Sequence, residues 1–460
     1  MVAFGRPRLG KVKVRKLATA DDQFSLFKKI YSLYDHAFIL ESLIGPKELA
    51  EMSVIGFDPE VTVTCDFRSL KVRNRRGRTK KYKVTEPLSQ LRKLVPKVSD
   101  SSSRYIGGAV GYISYDAVRF WERLPIDKKK TKIGFPVMEF GIYHDGILYN
   151  HKENQAYYFC LGKSRLAEIE RKIAKATAKP THFSHTEPAR NMTKEHFIDI
   201  VKKAKKYVYD GDVFQVVLAK NMRFEVEGDL LRFYEALREV NPSPYMYLLK
   251  SGRRCIIGSS PEMLLRVTKG HVETFPIAGT RPITDDEAKN EEMCRDLLKD
   301  EKELAEHTML VDLARNDIGR VCEFGTVKVD ELMTVKRFSH VQHIVSHVAG
   351  MLKKSFDSYD ALKAVFPAGT VSGAPKVRAM EVIDELEPDL RGPYAGALGY
   401  FSFNGSCDFA ITIRSLFVNG SKAYVQSGAG IVMDSDPARE WDETEHKAGA
   451  MLSALKKAAG

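Results

Sequence analysis

The sequence predicts an α+β fold, and three observations point to it. Roughly the first 185 residues break into short strand-like runs and hairpins with few helices. Beyond them, helical periodicity alternates with strand-like stretches to the C-terminus. An internal echo is also present: Gly108-Ala109-Val110-Gly111-Tyr112-Ile113-Ser114-Tyr115 resembles Gly396-Ala397-Leu398-Gly399-Tyr400-Phe401-Ser402-Phe403. Small residues alternating with aromatics suit a strand that another layer approaches closely, so two matched strands of a duplicated sheet are expected.

In chain order, the N-terminus is basic, with Arg6, Arg8, Lys11, Lys13, Arg15 and Lys16 and no acidic residue. No apolar run follows it, so it reads as a frayed extension or edge strand and not as a secretory signal. A strand is expected over 60–66. Over 68–83 two strands flank Asn74-Arg75-Arg76-Gly77 as an exposed basic hairpin. Strands over 135–161 and a helix near 164–178 come next. The polar, proline-bearing run from Lys179 to Pro188 marks a boundary between an N-terminal region, 1–186, and a second region, 187–460.

Past that boundary Thr193 caps a helix with Phe197, Ile200, Val201, Ala204 and Val208 on one face. Gly211-Asp212 then turns the chain into a strand over 213–225. Helices are expected over 229–239, 286–315, 357–364 and 374–384. Strands are expected near 255–267, 326–336, 397–403, 408–417 and 423–427. Asp436-Pro437 opens a final helix, with a cap and a proline at its first position.

Composition narrows the function classes. With 460 residues, 43% hydrophobic and 29% charged, the chain has the make-up of a soluble globular protein. No apolar run approaches the ~18 residues of a membrane-spanning helix. Cys65, Cys160, Cys255, Cys294, Cys322 and Cys407 lie far apart with no CxxC pair, which argues against a zinc site or a disulfide scaffold and for a reducing cytoplasm. Much of the net charge of +12 sits in the basic hairpin, where a solvated surface is expected and not a nucleic-acid patch.

Two carboxylate pairs recur at helical spacing. Glu303 and Glu306 share one face, and Glu440 and Glu443 share another, with Lys447 one turn on. Alone, each pair reads first as a solvated face; together they are able to hold a hard cation such as Mg²⁺. The second pair follows Gln426-Ser427-Gly428-Ala429-Gly430-Ile431-Val432, read here as a strand running into a Gly-Ala-Gly turn whose backbone N–H groups suit an anion.

These segments, with Pro276-Ile277-Ala278-Gly279-Thr280-Arg281-Pro282 and Phe366-Pro367-Ala368-Gly369-Thr370-Val371-Ser372-Gly373-Ala374-Pro375-Lys376, resemble the chorismate-utilising enzymes. The resemblance is strong over 190–455 and thinner over 35–120. It implies two orthogonally packed, mainly antiparallel sheets flanked by helices. It also implies Mg²⁺ held directly by Glu306 and Glu443, and through water by Glu303 and Glu440. Gly279, Thr280, Tyr394, Arg414, Lys447 and Gly428, Ala429 and Gly430 match chorismate-holding positions. Glu262 matches a general acid, and His343 and Thr370 match positions tied to the elimination step.

Within the family, members that add water resemble one another in a lysine where this chain has Gln215, and aminodeoxychorismate synthases in a lysine where it has Ala278. Glutamine is no base and alanine no nucleophile, which leaves direct attack by ammonia and favours the anthranilate synthase component I branch. The alternatives are aminodeoxychorismate synthase and a silent chorismate- or tryptophan-binding regulator. No Gly-x-Cys-x-Gly turn is present, so a class I glutamine amidotransferase partner is expected, in a heterotetramer of two copies of each subunit. Leu40, Glu41 and Ser42 with Pro244, Tyr245 and Met246 match the segments that bind tryptophan as feedback inhibitor. Glu51 departs from the usual arginine near that site.

Overall fold

Apolar residues on both faces of single strands dictate a layered molecule. In Tyr245–Ser251, Tyr247 and Leu249 enter one core while Met246 and Leu248 enter another. Ile256 and Ile257 divide in the same way in Arg254–Ser260. Such strands must be covered on both sides. The structure, a computed structural model, describes residues 11–44, 52–100, 103–124, 134–176, 181–337 and 341–460. Arg6, Arg8 and Glu51 lie outside the described residues.

Among the described residues, two antiparallel sheets, flanked by helices, form the body. The first has 13 strands and draws on both ends of the chain: Val12–Lys16 is one edge, His36–Glu41 pairs with Tyr245–Ser251 at its centre, and Gln215–Gly228 pairs with Lys422–Ile431 towards the other edge. The second has 12 strands, from Ile277–Pro282 to Thr79–Lys83. Its far edge is the basic hairpin, Ser69–Asn74 and Thr79–Lys83.

Three apolar clusters hold the layers. Phe38 and Tyr247 from the first sheet meet Leu265, Phe401 and Phe409 from the second. Behind the first sheet, Phe27, Leu237 and Leu455 seat the helices Gln23–Leu33, Leu230–Val240 and Pro437–Ala459. A smaller cluster of Phe197, Val216 and Ile383 seats Lys194–Tyr209 and Lys376–Leu386.

The echoed segments are neighbours. Gly108–Ile113 and Ala397–Ser402 pair antiparallel, with Gly111 opposite Gly399. A Cβ on Gly399 would stand 2.0 Å from the carbonyl oxygen of Asp408, so only glycine fits that close approach.

Four expectations are corrected. The helix expected over 286–315 is two, Glu287–Leu297 and Glu301–Gly319, because the Asp300 side chain caps the second by accepting from the Lys302 and Glu303 N–H groups. The strand expected over 255–267 divides at Pro261, which has no N–H for a ladder: Arg254–Ser260 lies in the first sheet and Met263–Thr268 in the second. The strand expected over 408–417 divides likewise into Cys407–Ile411 and Ser415–Asn419, with Arg414 in the left-handed region at φ 49°. Gly428-Ala429-Gly430 is no turn. It continues Lys422–Ile431, paired with Ala219, Leu218 and Val217.

Candidate active site

The site grows from the two places where the chain crosses side by side from one sheet to the other. At the first crossing Glu262 follows Pro261; at the second stands Arg414. The crossings are tied together, since the Ile411 N–H donates to the Glu262 carbonyl at 3.1 Å and the Ser259 N–H to the Arg414 carbonyl at 3.1 Å. The Glu262 carboxyl is buried and accepts from the Thr370 hydroxyl at 2.9 Å. Burial pushes its pKa up to about 8, against weaker downward pulls from Thr370 and Lys447. It is therefore a protonated acid at neutral pH.

Arg414 is held differently. Burial lowers its pKa, opposed by Tyr394 and Glu443, yet its guanidinium has no hydrogen-bond or ion-pair partner among the described residues. A half-buried fork of donors with no protein partner among the described residues is suited to a carboxylate. Beside it the strand Ser415–Asn419 stops pairing at Leu416 opposite Val425, so from Gln426 onward Lys422–Ile431 is laddered along one edge only. That open edge supplies the free backbone groups expected of a Gly-Ala-Gly turn. The Gly428 carbonyl accepts from Lys447 Nζ at 3.2 Å. The Ala429 side chain points away into the cluster with Phe197 and Val216, so only its backbone faces the site.

The carboxylates come from the helices Glu301–Gly319 and Pro437–Ala459. Glu306 accepts from Gln215 Nε2 at 2.6 Å, and Gln215 is itself buried beside Gly430. Glu443 pairs with Lys447 at 2.6 Å. Burial, then the neighbouring Glu306, raises the Glu303 pKa, and burial raises that of Glu440, with Glu443 adding and Ser435 opposing. Among the described residues no three His, Cys, Asp or Glu side chains stand close enough to hold a metal ion. Each carboxylate is engaged by a local neighbour instead. The donor set nonetheless suits a hard cation: two carboxylate pairs stand on two helices, and in each pair one member, Glu303 or Glu440, is pushed above the ordinary carboxylate range by burial and by its neighbouring carboxylate, a crowding that a divalent ion relieves.

His343 closes the ring of residues. Its Nδ1 donates to the Gly279 carbonyl at 2.7 Å and lies 3.1 Å from the Thr280 hydroxyl. That bond fixes the tautomer, leaving Nε2 as the basic nitrogen. Burial lowers the His343 pKa, and Arg414 and Lys447 lower it further, keeping the ring neutral. Gly279 has φ 63°, and a Cβ there would stand 2.9 Å from Leu297 and 3.2 Å from Glu303 Oε2. Gly279 thus links His343 to the carboxylate helix, and the residues expected in catalytic, chorismate-binding and metal roles form one connected group.

A second cavity, of about 110 Å³, brings together Leu40, Glu41, Ser42, Pro244, Tyr245 and Met246. Sequence reasoning missed Arg266 and Asp408 among the charged residues in its wall. Arg266 donates to Asp408 at 2.9 Å and to the Tyr245 hydroxyl at 3.2 Å. Neither had a motif to signal it, because their strands meet only in the folded sheet. Arg281 was quoted only as part of a motif, yet it pairs with Asp296 and Asp300 and lies 3.7 Å from Glu303.

With this geometry in place, the family profile described as chorismate binding enzyme matches residues 35–453. Anthranilate synthase component 1 of Methanothermobacter thermautotrophicus is 47% identical over 459 residues, covering 100% of this chain and 97% of that protein. The chain belongs to the anthranilate synthase component 1 branch of the chorismate-binding enzymes. The same-named protein of Saccharolobus solfataricus is 42% identical, over 98% of this chain and 100% of its own. A crystal structure of anthranilate synthase component I from Streptococcus pneumoniae superposes with a TM-score of 0.76 at 36% identity, over 89% of this chain and 94% of that one. The isochorismate synthase MenF of Escherichia coli, 20% identical with a TM-score of 0.73 over 97% and 95%, shares the fold. No helix among the described residues of this family member is long and apolar enough to cross a membrane.

Proposed function

We propose that the chain converts chorismate and ammonia into anthranilate and pyruvate, the ammonia being released from glutamine by a class I amidotransferase partner. The observation that carries the choice of nucleophile is Gln215, a buried amide bonded to Glu306 where water-adding relatives place a lysine. Ala278, 8% exposed, offers no amine either. Ammonia needs neither residue, because its lone pair attacks without a base.

Arg414 and the open edge at Gly428 and Gly430 take the enolpyruvyl carboxylate. Mg²⁺ would be held by Glu306 and Glu443, with Glu303 and Glu440 reaching it through water. When bound it supplies positive charge against the ring carboxylate. Ammonia adds at ring C2 while the C4 hydroxyl leaves with the proton of Glu262 as water. The Thr370 hydroxyl orients that carboxyl. In the second step pyruvate is eliminated and the ring aromatises, with neutral His343 placed to receive a proton. The cavity around Tyr245 takes tryptophan as inhibitor, its indole against the Tyr245 ring, while Met246 sends its side chain into the core on the other face of the strand.

Free cysteines and a soluble composition support a cytoplasmic setting, in a heterotetramer of two copies of each subunit. The purified chain is expected to use ammonium salts with chorismate, and to use glutamine only when the amidotransferase is added. Glutamine turnover by the chain alone would remove the partner from the account.

A further inference from the structure

We propose that the buried ion pair of Glu387 and Arg391 is a positioning device for turnover, fixing the backbone beside Thr370 against the backbone beside Gln215 and setting the ring of Tyr394. Neither side chain touches the reacting groups. Both are almost wholly enclosed, at 1% exposure for Arg391 and 3% for Glu387. Two parallel bonds join them: Arg391 Nε to Glu387 Oε2 at 2.9 Å and Nη2 to Oε1 at 2.5 Å.

What the pair does with its remaining hydrogen-bonding capacity defines its role. Arg391 Nη1 donates to the Val371 carbonyl at 2.6 Å, one residue from Thr370. Nη2 donates to the Val217 carbonyl at 2.8 Å, two residues from Gln215. Glu387 Oε1 accepts from the Ala219 N–H at 2.8 Å, further along the same strand. One rigid planar group thus spans the loop that presents Thr370 to Glu262 and the strand that presents Gln215 to Glu306. The guanidinium also lies over the ring of Tyr394, 5.9 Å from its centre, and over Tyr115 at 4.6 Å.

Burying two charges is expensive, and an apolar pair of similar volume is commonly as stable or more so. Stability alone therefore gives little reason for this arrangement, whereas registration of two catalytic segments does. A displacement of about 1 Å at a reacting centre lowers turnover about 100-fold. Lysine cannot substitute, since a single ammonium lacks the fork that reaches two carbonyls and a carboxylate at once.

The inference rests on the function proposed above only for the roles of Thr370 and Gln215. It is tested with two variants, Arg391→Lys and the double change Glu387→Leu/Arg391→Met, with folding followed by thermal melting and chorismate binding by calorimetry. The folded variants are expected to bind chorismate while kcat falls about 10- to 100-fold, with KM for chorismate moving much less. The basic limb of the pH profile should also rise, because a displaced Thr370 no longer stabilises the ionised form of Glu262. Unchanged kcat and pH profile in either folded variant would overturn the proposal. Failure of both variants to fold would also overturn it, by making the pair a requirement of the fold itself. A wild-type product other than anthranilate would instead count against the function reading, and the comparison of variants with wild type would still stand.

Discussion

In the proposed reaction, Glu262 as general acid would resolve a conflict built into the chemistry. Ammonia is nucleophilic only once ammonium has lost a proton, which favours alkaline conditions, whereas the leaving hydroxyl needs a proton donor. An ordinary carboxyl would already be ionised. Burial at the sheet crossing raises the Glu262 pKa to about 8, so acid and free amine coexist. The sign follows: the protonated form works, so activity limited by this group is full well below pH 8, falls to half near 8 and is lost as pH rises further. A pH profile of kcat at saturating free ammonia reads that limb directly. Glu262→Gln is expected to lower turnover at least ~100-fold, the scale of general acid catalysis, while calorimetry still detects chorismate binding. Full activity would remove Glu262 from the mechanism. Gln215→Lys with Ala278→Lys should sharply lower anthranilate formation, since the first change puts a cation against Glu306; unchanged rates would undo the argument about the nucleophile.

At the scale of elements, the crossings and the close strand pair matter most. Gly399→Ala forces a Cβ into a backbone carbonyl and is expected to cost about 1–3 kcal/mol, measured by urea unfolding. A stability within error of wild type would mean that the strands separate without cost. The glycine–aromatic echo made both strands legible, because the same packing demand acts on each, but not that they pair with one another. Local pattern also revealed the Thr193 and Asp436 caps, which act within one turn of their own residues. It did not reveal the crossings. In residues 255–267 and 408–417 the apolar pattern resumes after short interruptions, at 258–262 and at Arg414-Ser415, and which sheet each half joins is decided only by the positions of the two sheets. The break at Asp300 was hidden for a similar reason, since helical periodicity continues on both sides of it. Glu303, Glu306, Glu440 and Glu443 were legible by spacing, but Arg281 and Gln215, which face the first two, come from strands distant in sequence.

Across the whole molecule, the second cavity and the active site share a strand. Asp408 and Ala410 line the cavity, and the next residue, Ile411, donates its N–H to the Glu262 carbonyl. A ligand wedged between Tyr245 and Asp408 would therefore act on a strand bonded to Glu262, the proposed acid. Tyr245→Ala is expected to raise the tryptophan concentration for half-inhibition at least ~10-fold, through loss of a buried aromatic contact. A flat response of the unaltered chain to tryptophan would dispose of the inhibitor site. The central claim is that this scaffold directs ammonia, and no lysine or activated water, to ring C2 of chorismate. It is tested most directly by incubating the purified chain with chorismate, Mg²⁺ and ¹⁵N-labelled ammonium chloride and recording the mass and fluorescence of the product. The expected product is fluorescent anthranilate carrying one ¹⁵N, with pyruvate released in equal amount. Isochorismate, or an aminated product that retains its enolpyruvyl group, would contradict it.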